Sequence, residues 1–123
     1  MAFDPISGNI MLFGGETAAG IAADQWLWDG AGWVESRPPE AGPGPRKGAG
    51  LAYSRLDSGL VLFGGTTNTA YLNDTWIWNG IRWTQMQPAT APPGGAVIGA
   101  AYDSVRDAVV FVIDNAVWTW GGR

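Results

Sequence analysis

The chain has 123 residues, a formal net charge of −4, and neither cysteine nor histidine. That excludes a disulfide framework, a thiolate or imidazole metal site, and every nucleophile that needs a histidine base. No basic stripe is present, which excludes a usual nucleic-acid footprint, and no apolar stretch approaches the length of a membrane span.

In chain order, Met1-Ala2-Phe3 reads as a short strand, and no signal peptide is visible around it. Ser7-Gly8-Asn9 reads as a turn. Residues 10–13 form a continuous apolar run ending in Gly14-Gly15, as expected of a strand covered on both faces. Residues 16–23 read as a loop. Residues 25–28 alternate, with Trp26 and Trp28 on one face and Leu27 on the other. Asp29-Gly30 is a hairpin signal, because both residues tolerate positive φ, and Trp33 opens a fourth strand over 33–35. The segment 38–48 is rich in Pro and Gly and suits an extended link.

The same series then recurs. Strands are expected at 50–53, 60–63, 75–78 and 83–86, with Asn79-Gly80 at the later hairpin and a second link over 88–97. Residues 1–48 laid over 51–98 without a gap share 15 identities, against about three expected by chance for ordinary composition. A fixed period of this length marks an array of small units. A third, shorter unit follows. Ala101-Tyr102 matches Ala52-Tyr53, Val109 to Val112 match Leu60 to Phe63, and Val117 to Gly122 match Thr75 to Gly80. Ile113-Asp114 replaces the Gly-Gly pair, and Ala116 replaces the repeated Asp. The expected organisation is an all-β chain: unit one over 1–37, unit two over 49–87, and an incomplete unit three over 98–123.

Recurrence also sorts the candidate residues. Gly14, Gly15, Gly64 and Gly65 recur at strand ends, where backbone geometry explains them better than phosphate binding does. Asp24 and Asp74 recur just before the Trp-x-Trp strands and are expected to accept loop N–H groups. Trp26, Trp28, Trp76, Trp78, Trp118 and Trp120 are expected to pack between units, and Trp33 and Trp83 to be structural near the outer strand. Arg46 is expected to link units by donating to a carboxylate or carbonyl. The loops 16–23 and 66–73 differ while their flanks match, as a contact surface would. Glu16, Thr17, Asn68, Thr69 and Tyr71 are the candidates there, against a plain solvated loop. No catalytic residue, metal ligand or cofactor is expected.

An apolar strand ending in Gly-Gly, then Asp-x-Trp-x-Trp, a short turn and a further Trp resembles the kelch repeat, most closely that of bacterial proteins like the galactose oxidase central domain. The residues carrying it are Pro45, Arg46, Gly48, Tyr53, Leu60 to Gly65, Asp74-Thr75-Trp76, Trp78-Asn79-Gly80 and Trp83. The resemblance implies a β-propeller built from four-stranded blades. A ring needs about four to eight of them, so the chain is expected to be part of a longer protein, to close its ring as a homo-oligomer, or to stand as an open module. The copper ligands of such oxidases include histidine, so that activity does not carry over. The implied function is a non-catalytic module for a protein or glycan ligand. The alternatives are a scaffold part of a larger enzyme and a purely structural, self-assembling segment.

Overall fold

The computed structural model describes residues 1–122; Arg123, the last residue of the expected third unit, lies outside the described residues. The chain is all-β, with no helix among the described residues. Strands β1 (Ala2–Asp4), β2 (Asn9–Thr17), β3 (Gly20–Trp28) and β4 (Trp33–Ser36) form one antiparallel sheet in sequence order. Strands β5 (Gly50–Ser54), β6 (Gly59–Phe63), β7 (Thr75–Trp78) and β8 (Trp83–Met86) form a second. Strands β9 (Val97–Asp103), β10 (Ala108–Ile113) and β11 (Ala116–Gly121) form a third, three-stranded sheet.

Turn chemistry sets this register. The first turn of each unit needs one left-handed residue, supplied in turn by Gly8, Ser58 and Asp107 at φ of 78°, 52° and 53°. The later turns differ from the sequence expectation. Asp29 and Asn79 do not take positive φ; only Gly30 and Gly80 do. Their side chains act instead as Asx caps: Asp29 Oδ1 accepts from the amides of Ala31 and Gly32, and Asn79 Oδ1 from those of Ile81 and Arg82. The connection is therefore a four-residue loop between the paired Trp28–Trp33 and Trp78–Trp83.

The sheets stack face to face, with β1 and β9 both lying against β5. The second sheet is the middle layer, and all five residues of β6 are buried. Alternation explains how. Leu60 and Leu62 point to the first sheet and join Met11, Leu51, Trp78 and Trp83 in one core. Val61 and Phe63 point to the third sheet and join Ala52, Ile77, Val109, Phe111 and Ile113 in another. Each Val, Leu, Ile, Phe or Met among them contributes about 1.5–3 kcal/mol when fully buried. The layers follow the periodic Trp positions unequally. Trp76, Trp78 and Trp83 face the first sheet, and Trp118 and Trp120 face the second. Trp26, Trp28 and Trp33 lie on the outer face of the first sheet, which no other sheet among the described residues covers, so the expected packing of Trp26 and Trp28 between units is not made among those residues.

A second correction concerns residues 16–23. They do not form a loop. Strands β2 and β3 continue past a bulge at Gly14, pairing Gly15 with Ala22, Glu16 with Ile21 and Thr17 with Gly20. The turn is reduced to Ala18 and Ala19. Small residues and Gly20 at φ 121° permit that tight reversal, whereas the second unit has Asn68 and Thr69 in the corresponding stretch.

Candidate interaction surface

The β2–β3 and β6–β7 connections meet along one rim of the stack, and Lys47 joins them. Its backbone exchanges hydrogen bonds with Thr66 in both directions, at 3.0 and 2.7 Å. Its Nζ reaches Glu16 at 2.9 Å. Lys47 is not among the residues singled out from sequence.

Beyond Thr66 the second-unit loop bows outward. Thr66 pairs again with Tyr71, and Thr67 organises the bend between them. Thr67 Oγ1 accepts from the amides of Thr69 and Ala70, and the Thr67 amide donates to the Ala70 carbonyl. This is a Ser/Thr-type turn. It leaves an open concavity of about 370 Å³ lined by residues 66–71. Tyr71 is 76% exposed at its edge. Three of the expected contact residues, Asn68, Thr69 and Tyr71, therefore share one hollow. Glu16 and Thr17 do not line it: Glu16 is tied to Lys47, and Thr17 Oγ1 accepts from the Ala19 amide and donates to the Gly20 carbonyl. Thr66 and Thr67 were not singled out from sequence, although they flank the named residues in the same divergent stretch.

Beneath this rim sits a tie between the first two sheets, built on Arg46. Its backbone belongs to the first unit: the carbonyl accepts from Gly15 at 2.9 Å and the amide donates to Ala22 at 3.1 Å. Its side chain belongs to the second. Nη1 and Nη2 donate to the two Asp74 carboxylate oxygens at 2.6 and 2.8 Å, and Nη1 also donates to the Gly64 carbonyl at 3.0 Å. The guanidinium is buried. Trp76 Nε1 donates to the same carboxylate at 2.7 Å. Burial alone would raise the Asp74 pKa. The hydrogen bonds from Arg46 and Trp76, with the Arg46 charge, outweigh it and hold the carboxyl below its ordinary range.

The partners of the repeated aspartates correct another expectation. Asp74 holds an indole and a guanidinium, and Asp24 accepts from Trp26 Nε1 at 2.8 Å; these take the place of the expected loop amides. The glycine pairs adopt left-handed backbone, with Gly14 at φ 65° and Gly64 at φ 68°. A Cβ on Gly14 would stand 2.4 Å from the Arg46 carbonyl oxygen, so Gly14 must lack a side chain for the link to approach.

Further polar ties lie between the sheets. Trp83 Nε1 donates to the buried Gln25 Oε1 at 2.7 Å. Trp120 Nε1 donates to Asp57 at 2.9 Å. Asp107, fully buried, accepts from Arg55 of the neighbouring sheet and from the Tyr102 hydroxyl. That hydrogen bond to Asp107 raises the Tyr102 pKa, and the same carboxylate raises that of Arg55. Sequence reasoning missed Gln25 and Asp107, because neither recurs: Thr75 stands at the repeat position of Gln25, and Ser58 at that of Asp107.

These polar groups face one another and not the open hollow. Among the described residues no group of three or more His, Cys, Asp or Glu could hold a metal ion. The rim offers hydroxyls, an amide and one exposed phenol, which is chemistry for binding. No protein-family model matches the chain, and no curated protein matches it.

Proposed function

We propose that the chain is a kelch-type β-propeller segment that acts as a non-catalytic interaction module, taking a glycan or protein ligand at the rim formed by residues 66–71. The observation that carries this reading is Tyr71, exposed beside Asn68 and Thr69 over a hollow whose backbone is fixed by Thr67 and Lys47. An aromatic face bordered by hydroxyl and amide groups suits a polyhydroxylated or polar ligand. The ring offers apolar area, and the polar groups set orientation. The loop is held by backbone bonds, so little ordering opposes binding. The kelch assignment draws on the repeat, on three stacked antiparallel sheets and on the unit-to-unit link through Arg46.

The test is a glycan and peptide screen read by amide chemical shifts of the labelled chain. Hits should move the amides of residues 67–71. Tyr71→Ala should lower their affinity at least about tenfold, roughly 1.4 kcal/mol, while leaving the unfolding midpoint unchanged. Hits that move other amides and ignore Tyr71→Ala would place recognition elsewhere.

A further inference from the structure

We propose that the outer face of the first sheet docks the outer face of the third sheet from a second copy of this chain, closing two chains head to tail into a ring of six sheets. This rests on the propeller reading but not on the rim's ligand.

The repeat itself carries the argument. On the outer face of the first sheet stand Phe3, Ile10, Leu12, Trp26, Trp28 and Trp33. Their repeat equivalents are Tyr53, Leu60, Leu62, Trp76, Trp78 and Trp83. In the second sheet that face is covered by Met11, Phe13 and Leu27 of the first, which leaves Trp78 5% and Trp83 4% exposed. In the first sheet it is open, with Phe3 56% and Trp33 43% exposed. The first sheet therefore displays the half of the interface that gets covered.

The third sheet displays the other half. Its outer face carries Ala101, Val110, Val112, Val117 and Thr119. These are equivalent to Ala52, Val61, Phe63, Thr75 and Ile77, the side on which the second sheet packs against the third. Among the described residues this front-to-back contact is made twice, and one half of it stays uncovered on the first sheet and the other on the third. Both faces are mainly apolar; charged residues on them are peripheral, Glu35 on the edge strand β4 paired with Trp26 and Asp103 at the end of β9 paired with Ala108. Joining the two ends of one copy to the two ends of another matches every half. The result is closed and two-fold symmetric, with six sheets inside the usual range of four to eight.

One position differs between the internal contact and the proposed one. Gln25 accepts from Trp83 Nε1 in the internal contact, and its equivalent in the third sheet is Val117. Trp33 of the second copy would meet a side chain that cannot accept. Val117 is exposed, so this position can be changed without disturbing the fold of a single chain.

The experiment is sedimentation equilibrium of the full chain over a concentration series, with V117K and V117Q beside it and circular dichroism to show that each is folded. The expected mass is twice the 13.0 kDa of one chain. V117K should return it to a single chain mass with an unchanged spectrum. V117Q, which restores the acceptor, should stay dimeric to at least as low a concentration as the unmodified chain. A monomer, an open-ended series of larger assemblies, a dimer that survives V117K, or a V117Q dimer weaker than the original would each overturn the proposal. A monomer that still binds its ligand at the rim would do so while leaving the reading of the rim intact.

Discussion

The guanidinium of Arg46 clasps the carboxylate of Asp74 through two hydrogen bonds, of 2.6 and 2.8 Å, across 28 residues of chain and a boundary between sheets. The pairing is bidentate and buried on the arginine side, the arrangement in which arginine and lysine are not interchangeable. The third unit lacks both partners together: Gly95 replaces the arginine, and Ala116 the aspartate. Its backbone link persists without them, since Gly95 accepts from Gly65 as Arg46 does from Gly15. Losing one charge alone would strand the other, and losing both leaves nothing unpaired.

That coupling predicts a specific mutational pattern. Arg46→Met should destabilise the chain by about 3–5 kcal/mol, because it leaves the Asp74 carboxylate without its counter-ion. Arg46→Met combined with Asp74→Leu should recover part of the loss. Urea unfolding of the two single variants and the double one measures the interaction energy.

Asp74 also predicts an acid-sensitive component of stability. Its folded pKa lies below the ordinary value of 3.8. A carboxyl so depressed stabilises the fold above that value, and the contribution is lost as pH falls through the folded pKa. Unfolding free energy should therefore drop below pH 3.8. Asp74→Asn should be less stable at neutral pH and show a shallower acid slope in the same titration.

Two glycines separate backbone strain from steric contact. Gly30 has φ of 96° with open space around a built Cβ, so Gly30→Ala should cost about 1–3 kcal/mol through conformation alone. Gly14 also has positive φ, and its Cβ would meet the carbonyl oxygens of Arg46 and Ala22 at 2.4 and 3.1 Å. Gly14→Ala should cost more than Gly30→Ala in thermal unfolding.

The indole of Trp83 reaches Gln25 inside the first interface. Trp83→Phe should cost about 1–3 kcal/mol, chiefly by leaving a buried amide oxygen without its donor. Adding Gln25→Leu should remove that part of the penalty. Equal loss in the single and double variants would show that ring volume dominates.

The sheets were legible because they repeat. Two matched runs of Gly-Gly and Trp-x-Trp place eight strands, and the shorter third match places three more. What escaped was set by partners far away in the chain. Residues 16–23 pair as strand because two alanines and Gly20 allow a tight reversal, which a comparison of loop lengths does not reveal. In sequence the aspartates resemble loop caps because their neighbours are loop residues. Their partners are an indole two positions on and, for Asp74, an arginine from the preceding link. At the rim, divergence between the loops pointed to Asn68, Thr69 and Tyr71. It also pointed to Glu16 and Thr17, which the longer hairpin of the first unit keeps out of the hollow.

The stacking order underlies the Arg46 tie, the rim and the matched end faces alike. Side-chain NOE spectroscopy tests it most directly. Cross-peaks are expected between the rings of Phe13 and Trp83, whose centroids lie 5.6 Å apart, and between Phe63 and Phe111, also 5.6 Å apart. Cross-peaks from Trp26 or Trp28 to Leu60 and Leu62 in their place would mean that the first sheet packs by its opposite face, and would contradict the account.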